Sequence, residues 1–241
     1  MSKYLLSVLM PAYNEAATIY KALEAVAGVR LAEEGQMEIL VIDDHSTDDT
    51  ANEIHRFIKA YPEANLRYFK QDSNQGKGAA LHLGIQEARG DFTLIQDADL
   101  EYDPNEYHLL LRPILEGMAD VVYGSRFVGG KPHRVLFFMH TIGNKLLTFL
   151  SNLLTNINLT DLETCYKVFR TVILKKLKLK EKRFGFEPEV TAKICKIPGV
   201  RIYEVGISYY GRTYAEGKKI NWKDGFRAIW CIIRYNVFSS G

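Results

Sequence analysis

The sequence has only three cysteines, Cys165, Cys195 and Cys231, and they lie far apart. An odd number with no paired spacing excludes a disulfide framework and a zinc pattern, and fits a reducing compartment. Long apolar runs are also missing. No uninterrupted stretch of about 18 apolar residues occurs, so no segment reads as a transmembrane helix. Met1-Ser2-Lys3-Tyr4 goes straight into an apolar strand, and no signal peptide is visible there. Two nucleotide-binding signatures are absent as well. Gly76-Lys77-Gly78 lacks the spacing of a G-x-x-x-x-G-K-[ST] phosphate loop, and no G-x-G-x-x-G follows the first strand.

What is present is an ordinary globular composition, 47% hydrophobic and 25% charged, over 241 residues. That length suits one large α/β domain, alone or with an extension. The net charge of +2 conceals an asymmetry. Residues 161–241 carry 17 Lys and Arg against 8 Asp and Glu, whereas residues 1–160 carry 14 against 21. A basic C-terminal third suggests an anionic partner: a phosphate, an anionic lipid or a nucleic acid. The run Lys175 to Arg183 reads as a solvated face. The basic residues are scattered and match no recognition motif, which argues against nucleic-acid binding.

The chain is organised around Thr93 to Glu101. Phe92 to Ile95 predicts a buried strand that ends in Asp97 and Asp99, spaced i, i+2, with Glu101 beyond them. On extended backbone, residues i and i+2 point the same way. The two carboxylates can converge on one hard cation, Mg²⁺ or Mn²⁺, that also holds phosphate oxygens. The plainer reading is a strand end followed by a polar turn.

Further strands are expected at Leu5 to Met10, Met37 to Ile42, Leu66 to Phe69 and Val121 to Tyr123. Helices separate them, carrying Ile19, Leu23 and Val26, then Ile54, Phe57 and Ile58, then Lys77 to about Ala88, then Pro104 through Ile114. Ser46 or Thr47 is expected to cap the second helix. Strand–helix alternation predicts an α/β fold with a mostly parallel sheet. Its polar strand ends lie where ligands bind in such sheets. Val135 to Leu154 predicts one or two apolar helices interrupted near Gly143-Asn144. A short strand after Asp161, a helix from Phe184, strands at Val200 to Val205 and Ile207 to Tyr210, a basic loop at 211–220 and a helix from Trp222 to Tyr235 complete the chain. The apolar faces of the 135–154 and 222–235 helices suit either core packing or a bilayer surface.

Six motifs in register carry a resemblance. They are VLMPAYNE at 8–15, VIDDHSTDDT at 41–50, NQGKGAAL at 74–81, QDADLEYDP at 96–104, GSRF at 124–127 and TDLETCYKVF at 160–169. Together they resemble inverting family 2 glycosyltransferases of the GT-A fold, and within them the group making polyprenyl-phosphate sugars, such as the dolichyl-phosphate mannose and glucose synthases. The resemblance implies one GT-A domain over 1–220, with a nucleotide-sugar half at 1–127 and an acceptor half at 128–220. It leaves 221–241 as an amphipathic C-terminal helix.

The resemblance also implies roles. Pro11, Ala12, Tyr13 and Glu15 would line the base and ribose pocket, and Asp44 or Asp43 would contact the base. A carboxylate there can accept an imino proton, which uracil and guanine both offer. Lys77 and Ala98 would edge the nucleotide site. Asp97 and Asp99 would hold the diphosphate through Mg²⁺ or Mn²⁺, with Glu101, where the mannose synthases usually have Gln, as a further ligand. Arg126 and Arg134 would meet the acceptor phosphate, and Arg212 with Lys219 would close over the donor diphosphate.

The implied reaction is in-line displacement by a polyprenyl or dolichyl monophosphate on a nucleotide-sugar (GDP-mannose or UDP-glucose type), with Asp97, Asp99, Arg126 and Arg212 carrying it. A phosphate nucleophile needs no strong base, so Asp161 and Glu163 are expected to have structural or acceptor-positioning roles. The implied location is cytoplasmic and peripheral to the membrane, through the apolar helices or a membrane partner protein. The alternatives are a same-fold transferase with a hydroxyl acceptor, or a catalytically silent, membrane-associated nucleotide-sugar-binding module. The missing Q-x-x-R-W disfavours a processive synthase.

Overall fold

The computed structural model describes residues 3–32, 34–135, 137–213 and 222–238. Among the described residues, seven strands form one sheet: β1 Leu5–Ala12, β2 Gln36–Asp43, β3 Leu66–Lys70, β4 Phe92–Ile95, β5 Val121–Ser125, β6 Lys167–Arg170 and β7 Ile202–Gly206. Their order is β3-β2-β1-β4-β6-β5-β7. Every pairing is parallel except those of β6, which runs antiparallel between β4 and β5. The helices are α1 Ile19–Ala27, α2 Thr50–Ala60, α3 Lys77–Glu87, α4 Tyr107–Leu115, α5 Phe138–Thr155, α6 Thr171–Lys176, α7 Phe186–Cys195 and α8 Trp222–Ile233.

The central strands have no polar face because both sides are covered. Leu6, Val8, Leu9 and Met10 of β1 are all buried, as are Leu40 and Val41 of β2 and Leu94 and Ile95 of β4. Such strands read as continuous apolar runs. From β1 the chain steps outward to β2 and β3. Helix α3, packed on β1 and β2, then carries it back to β4 on the other side of β1. The strand order reverses there, which opens a crevice beyond the carboxyl ends of β1 and β4.

Gly76 and Gly78 explain the local G-K-G. Gly76 has φ +100°, and a Cβ on Gly78 would stand 2.2 Å from the Glu181 carbonyl oxygen. The two glycines let the 181–183 segment lie against the start of α3, where Ala79 N–H donates to the Lys182 carbonyl at 3.0 Å.

Several expectations change. Helix α2 starts at Thr50, so neither Ser46 nor Thr47 caps it. Both instead tie the β2 loop to the β1 loop: Ser46 Oγ accepts from Asn14 N–H at 3.0 Å, and Thr47 N–H donates to Asn14 Oδ1 at 2.8 Å. Ile207 to Tyr210 makes no ladder, only an isolated bridge between Tyr209 and His133. Ser208 is held by Glu106, which accepts from its N–H at 2.8 Å and its hydroxyl at 2.9 Å. Helix α5 is continuous through Gly143 and Asn144. The Asn144 amide leaves its own backbone alone and donates to Asp161 Oδ1 at 2.9 Å, which removes the usual competition with the helix.

Helix α8 packs on α5 and α7. Leu147, Leu162, Ala228 and Ile232 form a second small core there. Apolar side chains of this pair remain exposed: Phe138, Phe149 and Leu153 on α5, and Phe226 and Trp230 on α8, are all at least half exposed. Among the described residues, no helix is long and apolar enough to cross a membrane.

Candidate active site

The crevice is a cavity of about 830 Å³ at the switch point. Pro11, Ala12, Tyr13 and Glu15 come from the end of β1, Asp44 from the end of β2, and Asp97, Ala98, Asp99 and Glu101 from the end of β4. Lys77, Arg126 and Arg212 complete the convergence of predicted residues on this wall. The loops after these three strands each contain a non-glycine residue with positive φ: Asn14 at 52°, His45 at 62° and Leu100 at 63°. Strained backbone of this kind persists where surrounding contacts over-determine it.

Each carboxylate at the end of β4 has its own cation. Lys77 Nζ stands 2.8 Å from Asp97 Oδ1, and Arg212 Nη2 stands 2.8 Å from Asp99 Oδ2. Arg212 also reaches Glu101 at 3.2 Å and Glu15 at 3.4 Å. Burial, then repulsion from Asp97 and Glu101, pushes the Asp99 carboxyl up to about 7 in spite of Arg212. Burial opposes the charge on Lys77, but Asp97 and Glu187 outweigh it and hold the ammonium well above its usual range.

These crowded, partly desolvated oxygens suit a hard divalent cation. Among the described residues, no three Asp, Glu, His or Cys side chains form a ready ligand group. Asp97 and Asp99 would therefore supply two ligands and leave the remaining positions to diphosphate oxygens and water, as is usual for Mg²⁺ with nucleotides. Glu101, expected as a third ligand, is otherwise engaged. Its Oε1 accepts from Arg212 N–H at 2.8 Å and Nε–H at 3.2 Å, and its Oε2 accepts from Tyr209 OH at 2.8 Å. It anchors the segment that carries Arg212.

Arg126 is held in a fork by Asp161, with Nε–H donating at 2.6 Å and Nη2–H at 2.7 Å. Asp161 is fully buried and does not line the cavity. Burial works against its charge, yet Arg126 and Asn144 keep its carboxyl below the usual range. Asp161 is thus a positioning group for Arg126, whose guanidinium also lies 5.0 Å over the Tyr209 ring.

Three predicted residues stand apart. Asp43 is fully buried and does not line the cavity. Its oxygens accept from Ser46 N–H at 2.7 Å and Tyr68 OH at 2.9 Å. Of the two candidates for base contact, Asp44 is the one on the cavity wall, although it also receives Gln75 N–H and Gly76 N–H, both at 2.7 Å. Arg134 is outside the lining and donates to the Gly211 carbonyl at 3.1 Å. Lys219 lies outside the described residues. Sequence reasoning missed Glu187, Asn144 and Arg183, which also line the cavity. Glu187 stands in the run Phe184 to Glu189, which reads only as the acidic start of a helix.

An acidic pair and two arginines thus line one cavity at the switch point of a mostly parallel sheet. The glycosyl transferase family 2 model matches residues 7–178, and the chain belongs to that family. It is 27% identical over 213 residues to a dodecaprenyl-phosphate galacturonate synthase of Rhizobium johnstonii, a match covering 88% of this chain and 61% of that one. It is 35% identical over 129 residues to a dolichyl-phosphate β-glucosyltransferase of Dictyostelium discoideum, covering 50% of this chain and 39% of that one. The chain therefore spans less than two thirds of the length of either relative. In structure it is similar to glucosyl-3-phosphoglycerate synthase of Mycobacterium tuberculosis, crystallised with Mn²⁺, UDP and phosphoglyceric acid. The TM-score is 0.74 at 20% identity, covering 99% of this chain and 80% of that one. The expected GT-A architecture is the one observed.

Proposed function

We propose that the protein transfers a hexose from a nucleoside diphosphate donor to a polyprenyl monophosphate. The observation that carries this reading is that Asp97 and Asp99 with Arg212, and the Asp161-held Arg126, line one cavity. The names of the two family relatives support the lipid-phosphate acceptor.

In this mechanism a phosphate oxygen of the acceptor attacks the anomeric carbon. The bond from that carbon to the donor diphosphate breaks, and its electron pair leaves on the diphosphate oxygen. Asp97 and Asp99 would hold Mg²⁺ or Mn²⁺, which supplies neutralising charge for the leaving group. Arg212 leaves its carboxylate partners to pair with the diphosphate, where charge builds in the transition state. Arg126, fixed by Asp161, presents its remaining N–H groups to the acceptor phosphate. A phosphate monoester with a second pKa of about 6 is already ionised at neutral pH, so the nucleophile needs no general base.

The lipid acceptor gives the exposed apolar sides of α5 and α8 a purpose, as a surface that rests on the bilayer. Liposome flotation checks this. Wild-type protein should float, and Phe138→Glu with Trp230→Glu should stay in the soluble fraction with nucleotide binding intact.

The test of function is transfer of label from UDP-glucose or GDP-mannose, in Mn²⁺, to a polyprenyl phosphate in detergent. Label should enter the organic phase, and transfer only to soluble acceptors would overturn the lipid reading. One observation favours that second reading, a hydroxyl acceptor. Glu163 lines the cavity, and burial followed by repulsion from Glu187 raises its carboxyl to about 8, within the range of a general base.

A further inference from the structure

Beyond the diphosphate carboxylates, the cavity contains a second acidic pair. Lys77 joins the two: its Nζ is 2.8 Å from Asp97 Oδ1 and 3.6 Å from Glu187 Oε1. Glu187 belongs to the first turn of α7 and Glu163 to the segment before β6, and both line the cavity. Glu187 is only 5% exposed. Glu187 Oε2 and Glu163 Oε1 are buried and receive no hydrogen bond, and the same holds for Asn144 Oδ1 on the same cavity wall. The Asn144 amide orientation is set by its N–H donation to Asp161, so its oxygen is the atom left over.

Two buried lysines leave these acceptors unsatisfied: Lys167 Nζ donates to the Leu162 and Thr164 carbonyls, and Lys77 Nζ faces the other Glu187 oxygen, Oε1. An unmade hydrogen bond on a buried polar atom is costly, and in native structures such atoms are nearly always paired. All three orphan atoms are acceptors, so what pairs with them must donate. A sugar ring offers several neighbouring hydroxyl donors. A carboxylate, sulfate or phosphate offers none and adds repulsion.

We infer that Glu163, Glu187 and Asn144 bind the hydroxyls of the transferred sugar, and that the two glutamates restrict the donor to sugars without an anionic substituent. This deepens, and rests on, the nucleotide-sugar reading above. The position fits, because the sugar is joined directly to the diphosphate that Asp97 and Asp99 would hold, and Glu187 is their neighbour through Lys77.

The experiment is calorimetry in Mn²⁺ with UDP, UDP-glucose and UDP-glucuronate, and with GDP, GDP-mannose and GDP-mannuronate. The proteins are wild type, Glu163→Gln and Glu187→Gln. In wild type, the neutral sugar should bind about tenfold more tightly than its nucleoside diphosphate, and the sugar acid no more tightly than the diphosphate. Each variant should lose most of the neutral-sugar increment, keep diphosphate binding within about twofold, and narrow the discrimination against the sugar acid.

Equal binding of sugar acid and neutral sugar by wild type overturns the assignment whether or not the variants fold. Unchanged donor affinity in Glu163→Gln with a large fall in kcat overturns it in favour of a general base. Wild type that binds neither UDP nor GDP overturns the donor reading itself, and this assignment with it.

Discussion

Replacing Asp99 by asparagine should stabilise the metal-free protein near neutral pH while removing transfer. Burial and the charges of Asp97 and Glu101 hold this carboxyl at about 7, against 3.8 for a free aspartate. The folded state therefore holds the proton more tightly than the unfolded chain. Stability falls as pH rises from about 4 to about 7 and stays low above that. The difference is worth on the order of 4 kcal/mol. That figure already contains the attraction of Arg212, 2.8 Å from Asp99 in the wild type. The expectation is a gain of about 4 kcal/mol at about pH 7.5, falling to about 2 kcal/mol near pH 5. Urea unfolding in a chelator at the two pH values measures it. A variant less stable than wild type at the higher pH, or a difference that ignores pH, would refute the reasoning. Saturating Mn²⁺ and nucleotide should reverse the ranking, since only the carboxylate gains from them.

Other outcomes follow from named contacts. Arg212→Ala should lower kcat by about 10²- to 10³-fold, and steady-state kinetics showing only a raised KM would limit Arg212 to binding. Gly78→Ala must push its new methyl against the Glu181 carbonyl. It should cost about 1–3 kcal/mol in urea unfolding and disturb Arg183 at the cavity. Asp120→Asn tests the β5–β6–β7 edge, because hydrogen bonds from Arg201, then Arg170, hold the Asp120 carboxyl down to about 2. Its folded pKa lies below the free value, so its contribution is present above about pH 4 and disappears as pH falls toward 2. Solvent screening keeps that contribution to about 1 kcal/mol, and wild-type and variant melting temperatures should converge in acid.

The strands were legible because β1, β2 and β4 are covered on both faces and so run apolar, and each stops at a polar cluster. The acidic pair was legible for the same reason, being the first charged residues after a buried strand. Local rules failed where a distant partner decided the outcome. Asn144 did not interrupt α5, because Asp161 took its amide. Ser46 did not cap α2, because Asn14 took its hydroxyl. Glu101 reads in sequence as one more acid beside Asp99, and only its bonds to Tyr209 and Arg212 give it another task.

By itself, the sequence determined the buried strands of the parallel half, the polar cluster that follows each, and that carboxylates stand at the end of the fourth. Those features depend on neighbours within a few residues and on burial, which the apolar pattern records. The tertiary structure decided which cation meets which carboxylate. Arg212 reaches Asp99 from 113 residues away, and Lys77 stands between Asp97 and Glu187. These meetings result from the reversal of strand order at β1 and β4 and from the antiparallel return of β6, and no local period in the chain encodes them.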